Sequence, residues 1–372
     1  MSTHTGKTRR IRKWTWIASF TITVLLTISC AVSAKIRPQD PKPPFPYQGI
    51  EVSYKNPKGG VRLGGTFVIP AGQPPFPTVL FITGSGLQDR DETIFNHRPF
   101  AVIADYLARR GIASLRVDDR SVGKSTGDVE NATTADFATD VEAGVAFLKT
   151  RAEVASKRIG LIGHSEGGVI APMVAAKPEN DIAFIILLAG TGVSGDRILL
   201  EQQIAITKAN RGNPQTIETQ RKLMETILPM LRTSNETRDV LTNRLVATVK
   251  TIDPGAAAEK IHGNMYRLTS QWMRFFISYD PAPTLAKVKC PVLALNGAKD
   301  VQITPQLNLA AIGQTLKQAG NQNFKTLELA GLNHLFQTAQ TGSPSEYEEI
   351  EETFSPTALK LIADWIERKS RI

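Results

Sequence analysis

The sequence of 372 residues predicts an α/β fold in which a mostly parallel β-sheet carries helices on both faces. Two observations predict it. Short strands that are apolar almost throughout, such as "FPTVLFI" and "IAFIILLAG", alternate with amphipathic helical stretches; strands of this kind are buried on both faces, which is typical of parallel sheets. The alternation stops over residues 192–282, where helical periodicity continues without a convincing strand, and then resumes. This segment predicts a helical insertion.

The first 34 residues have the layout of a secretory signal peptide. A basic stretch precedes the uncharged "WTWIASFTITVLLTISCAVSA", with Val32 and Ala34 at the positions that a signal peptidase favours. We therefore expect an exported protein, periplasmic or secreted, that is cleaved near Ala34. Three alternatives remain open: an uncleaved N-terminal membrane anchor, lipidation at "TISC" (residues 27–30), and twin-arginine export through the "RR" pair.

Charge and cysteine content argue against other classes. The formal net charge is +9, but residues 1–34 hold five basic residues and no acid, so the rest of the chain carries only +4. We expect no nucleic-acid partner, because that would require a clustered basic face. Cys30 lies in the leader, which leaves Cys290 alone and predicts no disulfide framework.

The remaining elements follow in order along the chain. Residues 35–47 are rich in proline and predict an extended linker. The strands "GIEVSYKN", "VRLGGTFVIP" and "FPTVLFI" come next, followed by helix and strand in alternation: "PFAVIADYLARRG", "IASLRVDD", "TADFATDVEAGVAFLKTRA", "RIGLIG", "EGGVIAPMVAA" and "IAFIILLAG". The strands "CPVLALNG" and "FKTLELAG" and the helix "SPTALKLIADWIERK" complete the chain. We assign residues 48–191 and 283–372 to an α/β core and residues 192–282 to a helical cap.

One strand-to-helix turn carries the strongest chemical signal. Residues 163–167 read "GHSEG", a G-x-S-x-G sequence between a buried strand and a helix, which is the context of a nucleophile elbow. The serine of such an elbow has a strained backbone and needs small neighbours. We predict Ser165 as a nucleophile; the alternative is an ordinary glycine-rich turn.

A serine nucleophile needs a base, and the base needs an orienting acid. His334 follows the last strand and Asp300 follows the penultimate one, so both are expected at the carboxyl edge of the sheet, where the elbow also ends. The order Ser165, Asp300, His334 is the one expected of this architecture. His97 is expected to border the site, and Asp280, which precedes its strand, is a rival acid with a turn-forming role as its simpler interpretation.

The oxyanion that forms during acyl transfer requires hydrogen-bond donors. We predict the backbone N–H of Glu166, directly after the serine, as one donor. The second is predicted to be the backbone N–H of Ser85, in the loop "ITGSGLQDRDE" after the third strand. The charged run at residues 89–92 is interpreted as an ion-paired support of this loop.

With these residues, the chain resembles an α/β-hydrolase, and within that superfamily the bacterial exported group described as serine aminopeptidase-like or esterase-like. The resemblance rests on "GSGLQDRDE" (84–92), "LRVDDRSVGKSTGD" (115–128), "GHSEGGVIAPMVAA" (163–176), "YDPAPTLAKVKCPVLALNGAKDVQI" (279–303) and "GLNHLFQ" (331–337). It implies an eight-stranded type of sheet, a Ser-His-Asp triad, a helical cap, and ester or amide hydrolysis without metal or cofactor. One departure is Ser121, which follows "DDR" where the group usually has glycine; a positive φ there would strain the loop.

These observations predict an exported serine hydrolase that cleaves carboxylic esters through an acyl-enzyme. The expected partner is a small ester or a short peptide, with membrane contact only through an uncleaved leader. Aminopeptidase-like cleavage remains an alternative, since Glu166 and the cap acids Glu201, Glu218 and Glu225 are available to bind an amino terminus. A non-catalytic binding protein on a hydrolase fold is the other alternative.

Overall fold

A computed structural model describes residues 37–255 and 257–370, so the predicted leader lies outside the described residues. Eight strands form one sheet in the order β1-β2-β4-β3-β5-β6-β7-β8. The pairs β1–β2 and β2–β4 are antiparallel and the other pairs are parallel, which confirms the mostly parallel sheet. The strands are Tyr47–Asn56 (β1), Val61–Pro70 (β2), Phe76–Ile82 (β3), Ala113–Val117 (β4), Val154–His164 (β5), Phe184–Leu188 (β6), Val292–Gly297 (β7) and Phe324–Leu329 (β8).

Eleven α-helices lie within the described part of the chain. They are Pro99–Ala108 (α1), Thr134–Lys149 (α2), Gly167–Ala175 (α3), Gly195–Ala209 (α4), Pro214–Thr233 (α5), Arg238–Ile252 (α6), Ala258–Leu268 (α7), Gln271–Ser278 (α8), Ala282–Leu285 (α9), Pro305–Gln318 (α10) and Pro356–Ser370 (α11). None of these helices combines the length and the apolar composition needed to cross a membrane.

Local sequence signals explain where several helices begin. The backbone N–H of Thr133 donates to the Asp136 carboxylate at 2.8 Å, which closes a capping box at the start of α2. Asn213 caps α5 by accepting from the backbone N–H of Thr216 at 2.8 Å, and Pro214 occupies the first helical position, where no N–H is needed.

Apolar side chains cover both faces of the sheet, as the doubly apolar strands predict. Phe100 and Leu107 of α1 pack with Ile362 of α11 in one cluster, on the same face as Ile186 and Leu293. The opposite face packs against α2, α3 and α10. Burial on both faces fixes the strands and so fixes the carboxyl edge of the sheet, where the predicted functional residues lie.

The segment predicted as a cap supplies helices α4 to α8, and the described residues between β6 and β7 contain no strand. These helices pack around their own apolar centre, which includes Leu223, Ile227, Leu245, Met265 and Ile277. At the other end of the chain, residues 37–46 form neither helix nor strand. The buried Arg37 guanidinium joins them to the core by donating to the backbone carbonyls of Phe95 and Ile350.

Candidate active site

The turn around Ser165 has the strained geometry of a nucleophile elbow. β5 ends at His164, α3 begins at Gly167, and Ser165 has a φ of +52°. A Cβ atom at Gly163 would lie 2.0 Å from the carbonyl oxygen of Gly167, and one at Gly167 would lie 2.2 Å from the carbonyl oxygen of Ile82. Only glycine therefore fits on either side of this turn, which gives the G-x-S-x-G pattern its physical basis. A non-glycine residue at positive φ costs roughly 1–3 kcal/mol, and it persists because the sheet and α3 hold both ends of the turn.

Asp300 and His334 form a buried hydrogen-bonded pair beyond the ends of β7 and β8. Asp300 Oδ2 lies 2.8 Å from His334 Nδ1, and both residues are buried. Oδ1 of the same carboxylate accepts from the backbone N–H groups of Gln302 and Ile303, each at 2.8 Å. Because a carboxylate only accepts, His334 Nδ1 donates, and His334 Nε2 is left as the proton acceptor. Ser165 and His334 line the same cavity.

The two other candidates from the sequence lie elsewhere. Asp280 accepts from the backbone N–H of Ala282 at 3.0 Å, which is the turn-forming contact that the simpler interpretation predicts. His97 does not border the cavity. Its ring nitrogens lie 2.9 Å from Thr353 Oγ1 and 3.0 Å from the carbonyl oxygen of Tyr347, and the side chain is buried. Burial lowers the pKa of His97 to about 4.

The two residues predicted to supply the oxyanion donors line the same cavity as Ser165. Across the described ranges of the chain, neither the backbone N–H of Ser85 nor that of Glu166 has a hydrogen-bond acceptor, so both can donate to a bound oxygen. The preceding N–H, of Gly84, is already taken: it donates to Glu92 Oε1 at 2.6 Å. A Cβ atom at Gly84 would lie 3.3 Å from Ser165 Cβ, so a larger residue would crowd the predicted nucleophile.

The charged run at residues 89–92 is ion-paired to β4 and the residue that follows it. Arg90 Nη2 lies 2.7 Å from Asp118 Oδ2, and Asp91 forms a salt bridge with Arg116. These contacts hold the loop that carries Ser85 against the sheet, in agreement with the support role predicted from the sequence.

The departure at Ser121 is accommodated without a glycine. Ser121 has a φ of +64°, which is the conformation that a glycine would adopt readily. Its hydroxyl donates to the carbonyl oxygen of Gly127 and so fixes the turn.

A cavity of about 120 Å³ lies between the core and the cap, and Ser165 forms part of its wall. The cap contributes uncharged side chains to its wall: Ile198, Leu199 and Gln202 of α4, and Trp272, Met273 and Phe276 of α8. Within the described residues, no group of three or more histidine, cysteine or acidic side chains is arranged to hold a metal ion.

The carboxylate of Glu166 joins the core to the cap. Its Oε1 accepts from Thr134 Oγ1 and from Trp272 Nε1, each at 2.7 Å. Burial raises the pKa of Glu166, and the side chains of Thr134, Trp272 and Ser85 oppose that rise. The sequence predicts a role for the backbone of this residue and leaves its carboxylate available to bind an amino terminus; nothing local in the sequence points to the distant Trp272.

We expect Trp272→Phe to raise KM for substrates that fill the cavity, because it removes the hydrogen bond between cap and core. Thr134→Val is the matched control, since it removes a donor to the same oxygen from the core side. Loss of either hydrogen bond to Glu166 is expected to lower the free energy of unfolding by about 1.5–3 kcal/mol. Steady-state kinetics and thermal unfolding of both variants check this; an equal rise of KM in Thr134→Val would contradict a specific role of the cap contact.

Comparison with known proteins gives a consistent result. The model of the family described as X-Pro dipeptidyl-peptidase (S15 family) matches residues 59–334, a range that contains Ser165, Asp300 and His334. Esterase EstD from Thermotoga maritima is 27% identical over 291 residues, which make up 77% of this chain and 61% of that protein. The chain thus spans less than two thirds of this relative.

Solved structures show the same fold at low sequence identity. The hypothetical protein PA2218 from Pseudomonas aeruginosa superposes with a TM-score of 0.52 and 15% identity, over 91% of this chain and 99% of that one. The α/β hydrolase GrgF from Penicillium sp. sh18 gives a TM-score of 0.51 and 17% identity, over 88% of this chain and all (100%) of that one. The fold is therefore that of the α/β-hydrolases, as the sequence predicts.

Proposed function

Because the chain belongs to the X-Pro dipeptidyl-peptidase (S15) family, we propose that it is a serine hydrolase with Ser165 as nucleophile and small carboxylic esters as preferred substrates. The observation that carries the proposal is the Asp300–His334 contact at the cavity that Ser165 also lines. This contact holds the imidazole in the tautomer that can accept the serine proton.

The proposed mechanism is acyl transfer in two steps. His334 Nε2 takes the proton of Ser165 as Oγ attacks the ester carbonyl, and Asp300 stabilises the imidazolium. The backbone N–H groups of Ser85 and Glu166 donate to the oxyanion. The imidazolium then gives its proton to the departing alcohol, and a water molecule activated by His334 hydrolyses the acyl-enzyme.

The charges around the cavity favour esters over peptides with a free amino terminus. Recognition of an ammonium group requires an accessible carboxylate, but the two carboxylates that line the cavity already bind protein donors. Both side chains are buried; Glu92 accepts from Gly84 N and contacts His164, and Glu166 accepts from Thr134 and Trp272.

The cap acids that kept the aminopeptidase alternative open lie outside the cavity wall. Glu201, Glu218 and Glu225 are exposed on the surface of α4 and α5. Since the cap side of the wall is uncharged and largely apolar, the cavity suits a neutral ester with a compact apolar group.

A panel of chromogenic substrates tests this preference. We expect higher kcat/KM for p-nitrophenyl esters, from acetate to decanoate, than for aminoacyl-p-nitroanilides and a dipeptidyl X-Pro-p-nitroanilide. Faster turnover of the anilides would favour the peptidase alternative. A fluorophosphonate probe that fails to label Ser165 in the folded protein would instead support a non-catalytic binding role.

We also propose that the protein is exported, on the basis of the basic and apolar pattern of residues 1–34. N-terminal sequencing of protein recovered from the periplasm or medium is expected to begin directly after Ala34. A sequence that begins at Met1, in a membrane fraction, would favour the uncleaved anchor.

A further inference from the structure

A second acid–histidine pair lies in the wall of the proposed active-site cavity and takes no part in the proposed mechanism. Glu92 and His164 are both buried, with Glu92 Oε1 2.9 Å from His164 Nδ1. The other ring nitrogen, His164 Nε2, lies 3.0 Å from the backbone carbonyl oxygen of His334. The two imidazole rings have centroids 4.8 Å apart.

The hydrogen-bond partners of His164 define how many protons its ring carries. The carbonyl oxygen of His334 only accepts, so Nε2 must carry a proton. Glu92 Oε1 already accepts the backbone N–H of Gly84 at 2.6 Å, and as a carboxylate oxygen it accepts from Nδ1 as well. With an acceptor at each nitrogen, the arrangement fits a doubly protonated imidazolium beside an ionised Glu92. Burial alone would lower the pKa of His164, but Glu92, the His334 carbonyl and Asp300 outweigh it and raise the pKa.

This pair joins two loops that are far apart in sequence: one carries the predicted oxyanion donor Ser85, and the other carries the proposed base His334. Through Gly84 N, Glu92 holds the loop whose next residue is the predicted oxyanion donor Ser85. Through the carbonyl oxygen of residue 334, His164 holds the loop that carries the base itself. Glu92 has a φ of +54°, so its backbone keeps a strained conformation that presents the carboxylate to both partners.

We propose that Glu92 and His164 form an imidazolium–carboxylate link that sets the position of the oxyanion loop relative to the loop of His334. Both are positioning residues, acting through Ser85 N–H and His334. The proposal rests on the proposed function, since it assigns a task within that site. The positive imidazolium and the negative carboxylate balance each other, so the link adds no net charge to the wall of the cavity.

The protein contains a matched comparison in His97. This histidine is also buried and bound at both ring nitrogens, but one partner is the Thr353 hydroxyl, which can itself donate. A neutral ring therefore satisfies His97, in line with its lowered pKa of about 4. His97 lies outside the cavity and serves as the control in both experiments.

The first experiment measures protonation in the unmodified protein. In ¹⁵N NMR spectra of histidine-labelled protein at neutral pH, assigned with His164→Gln and His97→Gln, we expect both ring nitrogens of His164 to be protonated and only one of His97. A neutral His164 ring would overturn the proposal; the protonation state itself is measured in the unmodified protein, and the two variants serve only to assign the signals.

The second experiment measures turnover of p-nitrophenyl acetate by Glu92→Gln, His164→Gln and the double variant. Misplacement of reacting groups by about 1 Å costs on the order of 10²-fold, so each single variant is expected to lose about that much kcat with a much smaller change in KM. Because the two residues act as one link, the double variant is expected to lose no more than either single variant. His97→Gln is expected to keep the kcat of the wild type.

Wild-type measurements separate failure of the link from failure of the proposed function. Wild-type protein that neither hydrolyses the ester nor reacts at Ser165 with a fluorophosphonate would contradict the proposed function. If the wild type is labelled and active but folded Glu92→Gln keeps the same kcat, the link alone is overturned. Additive losses of kcat in the double variant would overturn it as well.

Discussion

Replacing Ser165 by alanine is expected to lower kcat for ester hydrolysis by about 10⁶-fold, the scale of losing the nucleophile of a serine triad. The substitution removes the only atom proposed to bond to the acyl carbon, and the oxyanion donors and His334 are left without an acyl-enzyme to stabilise. Turnover of p-nitrophenyl acetate and labelling by a fluorophosphonate check the result, and both signals should disappear together.

The fold of Ser165→Ala is expected to remain intact. Alanine at a φ of +52° is strained to about the same extent as serine, and it is no larger, so the thermal unfolding midpoint should stay close to that of the wild type. Ser53→Ala, at an exposed position on β1, is the matched control and should keep full activity. A purified Ser165→Ala protein that keeps most of its activity would contradict the assignment of the nucleophile.

The local sequence was sufficient to predict the elements that position the site. Doubly apolar strands predicted the sheet because a strand covered on both faces excludes polar side chains along its length. The elbow could be predicted because glycine is required at both positions: a side chain at Gly163 would collide with the backbone of the same turn, and one at Gly167 with the adjacent strand β3. Asp300 and His334 could be paired in advance because parallel neighbours such as β7 and β8 end at the same edge of a sheet.

Contacts between distant parts of the chain could not be predicted in the same way. Glu92 and His164 are 72 residues apart, and Glu166 and Trp272 are 106 apart. Neither pair belongs to a periodic pattern, and each depends on how a loop or a cap helix packs in three dimensions. For Glu92 the sequence offered only a weak signal, namely that it is the last residue of a charged run. It offered none for Trp272, whose position on α8 indicates only an amphipathic helix.

Asp300→Asn is expected to lower kcat by about 10⁴-fold, the magnitude typical of a triad whose histidine is held in the wrong tautomer. Asp300 Oδ1 accepts two backbone N–H groups, from Gln302 and Ile303. In the variant these donors keep the amide oxygen on their side, because a flipped amide would place its NH₂ group against them. The NH₂ group must then face Nδ1 of His334.

Two donors cannot share that contact, so His334 has to shift its proton from Nδ1 to Nε2. An imidazole protonated at Nε2 cannot accept the proton of Ser165, although every atom stays close to its original place. Asp280→Asn is the matched control, because the amide oxygen can still accept from the N–H of Ala282 and that residue lies away from the cavity. Steady-state kinetics of the two variants decide between the two acids. A large loss of kcat in Asp280→Asn together with an active Asp300→Asn would transfer the role to Asp280. We expect the loss of kcat in Asp300→Asn alone, because the two backbone donors prevent the introduced amide from turning.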